Sequence, residues 1–362
     1  MIVADVLDGG MFTTVQDLGR VGYLRYGVPT SGAMDRAACL AANALVGNPP
    51  GAAILEITLV GPRIRFVAPA TIALAGADLG ARLDDRPISC WESLTVLPGQ
   101  TLRFAGPADG ARACLAVLGG IDVPVVLGSR STYTRSRLGG ADGRPLAQGD
   151  RLAIPGDAAR VLAGRGRVPE AERPVYGSSH VLRVLRGPQD DRFTQEGLAT
   201  FFSSDYTVTA DGDRMGCRLQ GPRIAHLSGA DIVSDGSPPG AVQVSGDGQP
   251  IVLMADRGTA GGYAKIATVI TVDVWRLAQA APGDSVRFRE ATLAEAREAL
   301  RAQREWLDRI RPTASVAPAV ARGASRRRKA AAAAVAAVAT ALEDDSATAA
   351  PPTARGPRPR PA

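Results

Sequence analysis

Three short motifs occur twice along this chain, in the same order. Gly61-Pro62-Arg63-Ile64 returns as Gly221-Pro222-Arg223-Ile224. Ala75-Gly76-Ala77-Asp78 returns as Ser228-Gly229-Ala230-Asp231, and Pro98-Gly99-Gln100-Thr101-Leu102-Arg103-Phe104 returns as Pro282-Gly283-Asp284-Ser285-Val286-Arg287-Phe288. The offsets drift from 160 to 153 to 184 residues. A solenoid repeats at a fixed period of about 20–50 residues, so the pattern implies a tandem pair of related β-domains with different insertions. Turn tetrapeptides recur for local reasons, but three ordered matches go beyond that. The segments between the motifs agree. Short β-rich runs at 53–59, 63–67, 71–75, 94–97, 112–118, 181–185, 250–254 and 266–274 are separated by frequent glycine and proline. That spacing reads as barrels or sandwiches and not as βαβ units.

Two helices stand out. One covers about 34–46, with Met34, Ala38, Ala41 and Leu45 on one face, and stops at Gly47-Asn48-Pro49-Pro50. The other starts at Thr292 with a Thr-x-x-Glu capping box completed by Glu295, and carries an apolar stripe of Leu293, Leu300, Leu307 and Ile310. The expected organisation is an N-terminal β-barrel half over 1–160, a C-terminal β-barrel half with its terminal helix over 161–310, and a low-complexity tail over 311–362. The tail runs from Arg326-Arg327-Arg328-Lys329 through an Ala/Val stretch to Glu343-Asp344-Asp345 and a Pro/Ala/Arg end. It has little large apolar surface to bury and is expected to be disordered.

The net charge of +6 belongs to that tail, because residues 1–310 carry 33 charges of each sign. A neutral body argues against a nucleic-acid-binding face. The start lacks a basic, apolar leader and no run approaches 18 apolar residues, so a soluble cytoplasmic protein without membrane association is expected. Cys39, Cys90, Cys114 and Cys217 are scattered with no CxxC pair and read as buried free thiols. The two histidines, His180 and His226, have no partner at metal-ligand spacing, so neither a metal site nor a Ser-His-Asp site is expected.

Of the 42 lysines and arginines only two are lysines, Lys329 in the tail and Lys265 in Gly261-Gly262-Tyr263-Ala264-Lys265. A compact ammonium with three donors does different work from a planar guanidinium. Lys265 belongs to a constellation with Arg214, Arg218, Gln243, Asp256, Thr259 and the glycines. Glycine lets backbone approach a ligand, an arginine fork clamps a carboxylate, and a lysine stabilises developing negative charge on oxygen. A second constellation, near the N-terminus, packs Asp17, Arg20, Asp35 and Asn43 among glycines directly before a helix, whose free N–H groups suit a carboxylate or carbonyl oxygen.

Gln16-Asp17-Leu18-Gly19-Arg20, Gly27-Val28-Pro29, Ser31-Gly32-Ala33-Met34-Asp35, Ala42-Asn43, Leu55-Glu56, Gly128-Ser129-Arg130-Ser131-Thr132, Asp213-Arg214-Met215-Gly216 and Gly261-Gly262-Tyr263 with Lys265-Ile266-Ala267 resemble the allophanate hydrolase subunit 2 family, the biotin-dependent carboxyltransferase-like proteins. The resemblance covers about residues 1–290. One departure is Ala264, where the family pattern usually has proline. The resemblance implies a mainly β, cyclophilin-like pair of barrels with a few short helices. It implies the C-type component of an ATP-dependent 5-oxoprolinase, which opens 5-oxoproline to glutamate. Its partners would be a subunit 1-type protein, the B component, and a further A component of the same complex. Lys265, Asp256 and Asp35 would be catalytic, and Arg20, Asp17, Asn43, Arg214, Arg218, Gln243, Thr259, Gly261, Gly262 and Tyr263 would bind the small amide substrate. Two alternatives stay open: a biotin-dependent carboxyltransferase component acting on urea or a similar amide, and a non-enzymatic regulatory partner of a subunit 1-type protein. The chain has neither a GxxxxGK[ST] loop nor an Ala-Met-Lys biotinylation site. ATP is therefore expected to be used by the complex, no cofactor to be covalently bound, and biotin to enter only in the carboxyltransferase alternative.

Overall fold

A computed structural model describes residues 1–156 and 166–310. The tail expected to be disordered, and the boundary expected near 160, both lie outside the described residues.

The first half is two packed antiparallel sheets. One runs in the order Arg151–Ala153, Ile2–Asp8, Arg63–Phe66, Thr101–Phe104, Ala81–Leu83 and Arg86–Pro87. The other runs Phe12–Gln16, Ile54–Thr58, Asp109–Val117, Ala70–Asp78 and Glu92–Val96. Alternating residues such as Ile64 and Phe66 from the first sheet, and Leu55, Ile57, Ile72 and Leu115 from the second, meet in one core. The second half is a closed seven-stranded barrel: Ser179–Arg186, Lys265–Val269, Ala241–Val244, Pro250–Leu253, Gly216–Gln220, Asp205–Val208 and Ser285–Glu290. The last strand closes the ring by pairing in parallel with Ser179–Arg186. A two-stranded arm, Asp231–Gly236 with Ala260–Tyr263, stands outside the barrel ladder. The mainly β architecture with a barrel and few helices therefore holds, although the ladders of the first half form two sheets and do not close.

The Pro-Gly motif does equivalent work in both halves, whereas Gly61-Pro62-Arg63-Ile64 leads into the strand Arg63–Phe66 and Gly221-Pro222-Arg223-Ile224 follows the strand Gly216–Gln220. Gly99 and Gly283 take φ +89° and +97°, which suits glycine. Each donates its N–H to the last residue of the adjacent strand, Gly99 to Phe66 O at 2.8 Å and Gly283 to Val208 O at 2.9 Å. Each turn then feeds a strand, Thr101–Phe104 or Ser285–Glu290, that pairs antiparallel with that neighbour.

Helix α1 (Arg36–Leu45) lies under the second sheet and buries Ala38, Cys39, Ala41, Ala42 and Leu45. Helix α2 (Gln195–Ser203) and the short α3 (Val274–Gln279) pack Phe201 and Leu277 onto the barrel core. Helix α4 (Leu293–Arg309) carries the expected capping box. Its apolar stripe is only partly used, since Leu293 is exposed, Leu300 and Leu307 are half-buried, and the C-terminal end docks most fully. There Trp306 meets Trp91 edge-on, its indole N–H donates to Glu172 O at 3.1 Å, and Ile310 is buried. The helix thus returns from the barrel to the first half.

The four cysteines are free thiols, three buried and Cys90 half-buried. Burial pushes the Cys90 and Cys217 thiols up to about 12, which makes them inert at neutral pH. His180 is buried against Asp284, with Nε2 at 3.3 Å from its carboxylate. No described helix is long and apolar enough to cross a membrane.

Candidate active site at the seam between the two halves

Residues 17–35 carry the chain from the strand Phe12–Gln16 to α1, and on the way they touch the barrel. Ser31, at φ +53°, donates its backbone N–H to Ala255 O at 3.1 Å. Asp17 shapes this loop. Its carboxylate accepts from Ser129 Oγ and Ser131 Oγ at 2.6 Å each, from Arg130 N at 2.6 Å and from Gly19 N at 2.8 Å. Four donors leave the carboxylate committed to structure.

Arg214 ties the halves together. Its Nε and Nη2 reach the two oxygens of Asp256 at 2.8 and 3.2 Å, and its Nη2 also donates to Gly32 O at 2.8 Å. Its Nη1 donates to Glu56, whose other oxygen accepts from Met34 N at 2.6 Å. Glu56 lies on Ile54–Thr58 of the first half and is 1 % exposed, so the guanidinium spans the seam. Burial alone would lower the Arg214 pKa; the charges of Glu56 and Asp256, and the hydrogen bonds to them, more than reverse this and raise it above the ordinary arginine range. Next along the chain from Asp256, Arg257 is buried and donates through Nε to Ser237 O at 2.6 Å. A cleft of about 320 Å³ opens here, lined by Met11, Phe12, Arg135, Met215, Arg214 and Asp256 among others.

Lys265 begins the barrel strand that follows the arm. It is 1 % exposed, yet its Nζ donates at 2.9 Å to Asp235, an exposed carboxylate on the arm. Gln189 braces both partners: its Oε1 accepts from Lys265 N at 3.2 Å and its Nε2 donates to Asp235 at 3.4 Å. The ammonium lowers the Asp235 carboxyl below its usual range, chiefly through this hydrogen bond. Gln243 is buried beside the arm, with its Nε2 3.5 Å from Tyr263 O. Gly261 packs closely on Gln243, since a Cβ there would lie 2.5 Å from Gln243 Nε2 and 3.2 Å from Ser237 Oγ and would oblige the amide to move. Thr259 O accepts from Ser237 N at 3.1 Å and pins the base of the arm, while Gly262 is half-buried and Tyr263 exposed.

Arg20, Arg214 and Asp256 come together at the seam, while Gln243, Gly261 and Lys265 lie on strands of the barrel and its arm, where Lys265 meets Gln189 and Asp235. Three expected residues go elsewhere. Arg218 lies on the outward face of its strand, between the inward Cys217 and Leu219, and its charge acts on Asp247. Asn43 spends its amide on the turn after α1, donating to Ala52 O at 2.9 Å and accepting from Asn48 at 3.0 Å. Asp35, expected to be catalytic, is the N-cap of α1 and accepts from Ala38 N at 2.9 Å. It also accepts from Gln279 Nε2 at 2.7 Å, and Gln279 in turn holds the backbone of Ala111 and Arg112. Asp35 is thus a buried clamp between α1, α3 and the strand Asp109–Val117.

Burial raises the Asp35 carboxyl to about 6, against the hydrogen bonds of Ala38 and Gln279. A folded-state pKa raised above the unfolded 3.8 gives stability that is full below about pH 3.8 and lost as pH rises through about 6. Relative to Asp35→Asn, the wild type is expected to lose about 2 kcal/mol between pH 4 and pH 7. Urea midpoints across that range measure it. A difference that is flat with pH would show that Asp35 does not titrate there.

The sequence motifs include Glu56, Ser129 and Ser131 without giving them a role, and nothing in the sequence singled out Asp235, Gln189 or Gln279. Glu56 carried a signal, as an acid inside the apolar run Ile54-Leu55-Glu56-Ile57. Asp235 and Gln189 carried none, because their distances to Lys265 in sequence are set only by barrel closure.

Two sheets, a closed barrel and a polar seam between them define the class. The chain belongs to the family of the carboxyltransferase domain, subdomain A and B, whose pattern matches residues 26–290. It is 38 % identical to the 5-oxoprolinase C subunit of Escherichia coli over 305 residues, which covers 84 % of this chain and 96 % of that protein. It is also 35 % identical to urea amidolyase of Saccharomyces cerevisiae over 298 residues, 77 % of this chain but 16 % of that protein. Among solved structures, Kluyveromyces lactis urea carboxylase superposes with a TM-score of 0.80 at 31 % identity, over 88 % of this chain and 30 % of that one. Kluyveromyces lactis urea amidolyase gives 0.79 at 32 %, over 84 % of this chain and 20 % of that one.

Proposed function

We propose that this chain is the C-type component of an ATP-dependent 5-oxoprolinase. It would act with a subunit 1-type protein, the B component, and with an A component. The observation that carries the reading is the match to nearly the full length of the Escherichia coli protein, where the urea-processing relatives named above are matched over a third of their length or less. The reaction adds water across the lactam C–N bond of 5-oxoproline to give glutamate, and ATP hydrolysis drives it.

The polar side chains of the seam and of the barrel beside its arm would supply what a lactam carbonyl needs. Attack on the carbonyl carbon builds negative charge on oxygen, and a preorganised cation in a water-poor place stabilises it. Lys265 is such a cation, with one of its three donors given to Asp235 and two left for the oxyanion. Asp256 keeps acceptor capacity beyond its two Arg214 contacts. That suits it to orient the lactam N–H or a water, while Asp17 and Asp35 are spent on the scaffold. The narrow Gly261-Gly262 strand lets a flat amide lie against backbone.

Glutamate release from 5-oxoproline and ATP, by this chain assembled with its partner proteins, tests the reading. Release that disappears when this chain is omitted is the expected result. No release from an assembled complex would transfer the assignment to carboxyl transfer onto urea-like amides.

A further inference from the structure

Arg20 is 1 % exposed, and its surroundings answer its charge only in part. Its Nη2 donates to Ser131 O, while its Nε and Nη1 are buried and have no partner among the described residues. The acids that act on it are Asp17 and Asp256, and neither is bonded to it. Asp17 is committed to four other donors and Asp256 to Arg214. Burial lowers the Arg20 pKa, and those two acids only partly restore it.

Its position is the first-half side of the seam. Arg20 N donates to Thr30 O at 2.8 Å, and the residue after Thr30, Ser31, bonds to Ala255, the neighbour of Asp256. The Ser31 hydroxyl is also buried without a partner among the described residues. Glycine at 139 makes room for the guanidinium, since a Cβ there would come within 2.7 Å of Nη2.

We infer that Arg20 is the carboxylate-holding residue of this seam, taking the ring carboxylate of a small cyclic amide on its unpartnered Nε and Nη1. The inference rests on the oxoprolinase reading and adds a division of labour to it. Lys265 serves the oxygen whose charge develops during reaction, and Arg20 serves the oxygens whose charge is fixed. A water would satisfy the two N–H groups but leave a buried positive charge that Asp17 and Asp256 only partly compensate. A carboxylate answers both, and it fits the guanidinium fork side-on.

Calorimetry on the full chain with 5-oxoproline and with 2-pyrrolidinone, the same lactam without its carboxylate, tests the inference. 5-Oxoproline is expected to bind at least tenfold tighter. Arg20→Gln is expected to erase that preference while leaving 2-pyrrolidinone unchanged. Equal binding of the two lactams by the wild type, or a preference retained in Arg20→Gln, would overturn the inference. If that variant does not fold, the wild-type ¹⁵N resonance of Arg20 Nε–H decides. 5-Oxoproline must shift it and 2-pyrrolidinone must not, and an unmoved resonance would again overturn the inference. Failure here and failure of the enzymatic reading separate cleanly. Glutamate release with an unmoved resonance removes Arg20 alone. No release, with acetate shifting the resonance, leaves the anion site standing without the oxoprolinase.

Discussion

Lys265→Met is expected to lower glutamate release by the assembled complex about 10²–10³-fold, the usual cost of removing one preorganised stabiliser of an oxyanion. The loss should fall on kcat more than on KM, because the charge it answers is largest in the transition state. The fold should survive. Methionine has nearly the length of lysine, it fits a position that is already 1 % exposed, and it removes a charge that had to be desolvated. The abandoned partner, Asp235, sits on an exposed arm and returns to water. Unfolding midpoints of the variant and wild type should therefore agree within about 1 kcal/mol. Steady-state kinetics on the reconstituted complex, beside a urea melt of the isolated chain, separates the two effects. Full activity would remove Lys265 from the chemistry. A collapse of both activity and stability would make it a structural residue.

The same contrast explains what could be read before the fold was known. The shared Pro-Gly turn was legible because turns are local. A Pro-Gly turn with positive φ must recur wherever the same strand entry recurs, and Gly99 and Gly283 do the same work in the two halves. α1 and the start of α4 were legible because caps and period are local too. The site was legible only as a set of residue types. Sequence cannot show that Asp35 faces α3 and not a ligand, since Gln279 lies 244 positions away. That Arg218 faces outward was legible, because Cys217-Arg218-Leu219-Gln220 alternates apolar and polar as a half-buried strand does. Arg214 and Lys265 share one constellation in sequence, but the structure divides their tasks. One is saturated with carboxylates, and the other holds a single carboxylate exposed to solvent.

That saturation makes Arg214 the residue whose loss should cost the fold most. Arg214→Met leaves Glu56 and Asp256, 1 % and 4 % exposed, without the cation between them. Breaking a buried ion pair by removing one partner costs about 3–5 kcal/mol, because the abandoned charge stays desolvated. Here two carboxylates are abandoned, so a value at the upper end is expected. Glu56→Gln keeps the shape and an acceptor for Met34 N, and should cost less. The double variant should lose less than the two single losses added, since removing Glu56 also removes one of the charges that Arg214→Met strands. Acid should partly rescue Arg214→Met. Stranded carboxylates have pKa values raised in the folded state, so their protons favour folding at low pH and the deficit grows as pH rises. Urea midpoints of the three variants at pH 5 and pH 8 measure all of this. An Arg214→Met chain within about 1 kcal/mol of wild type at both values would show that the halves are held by their apolar contacts, with Arg214 then available to ligand.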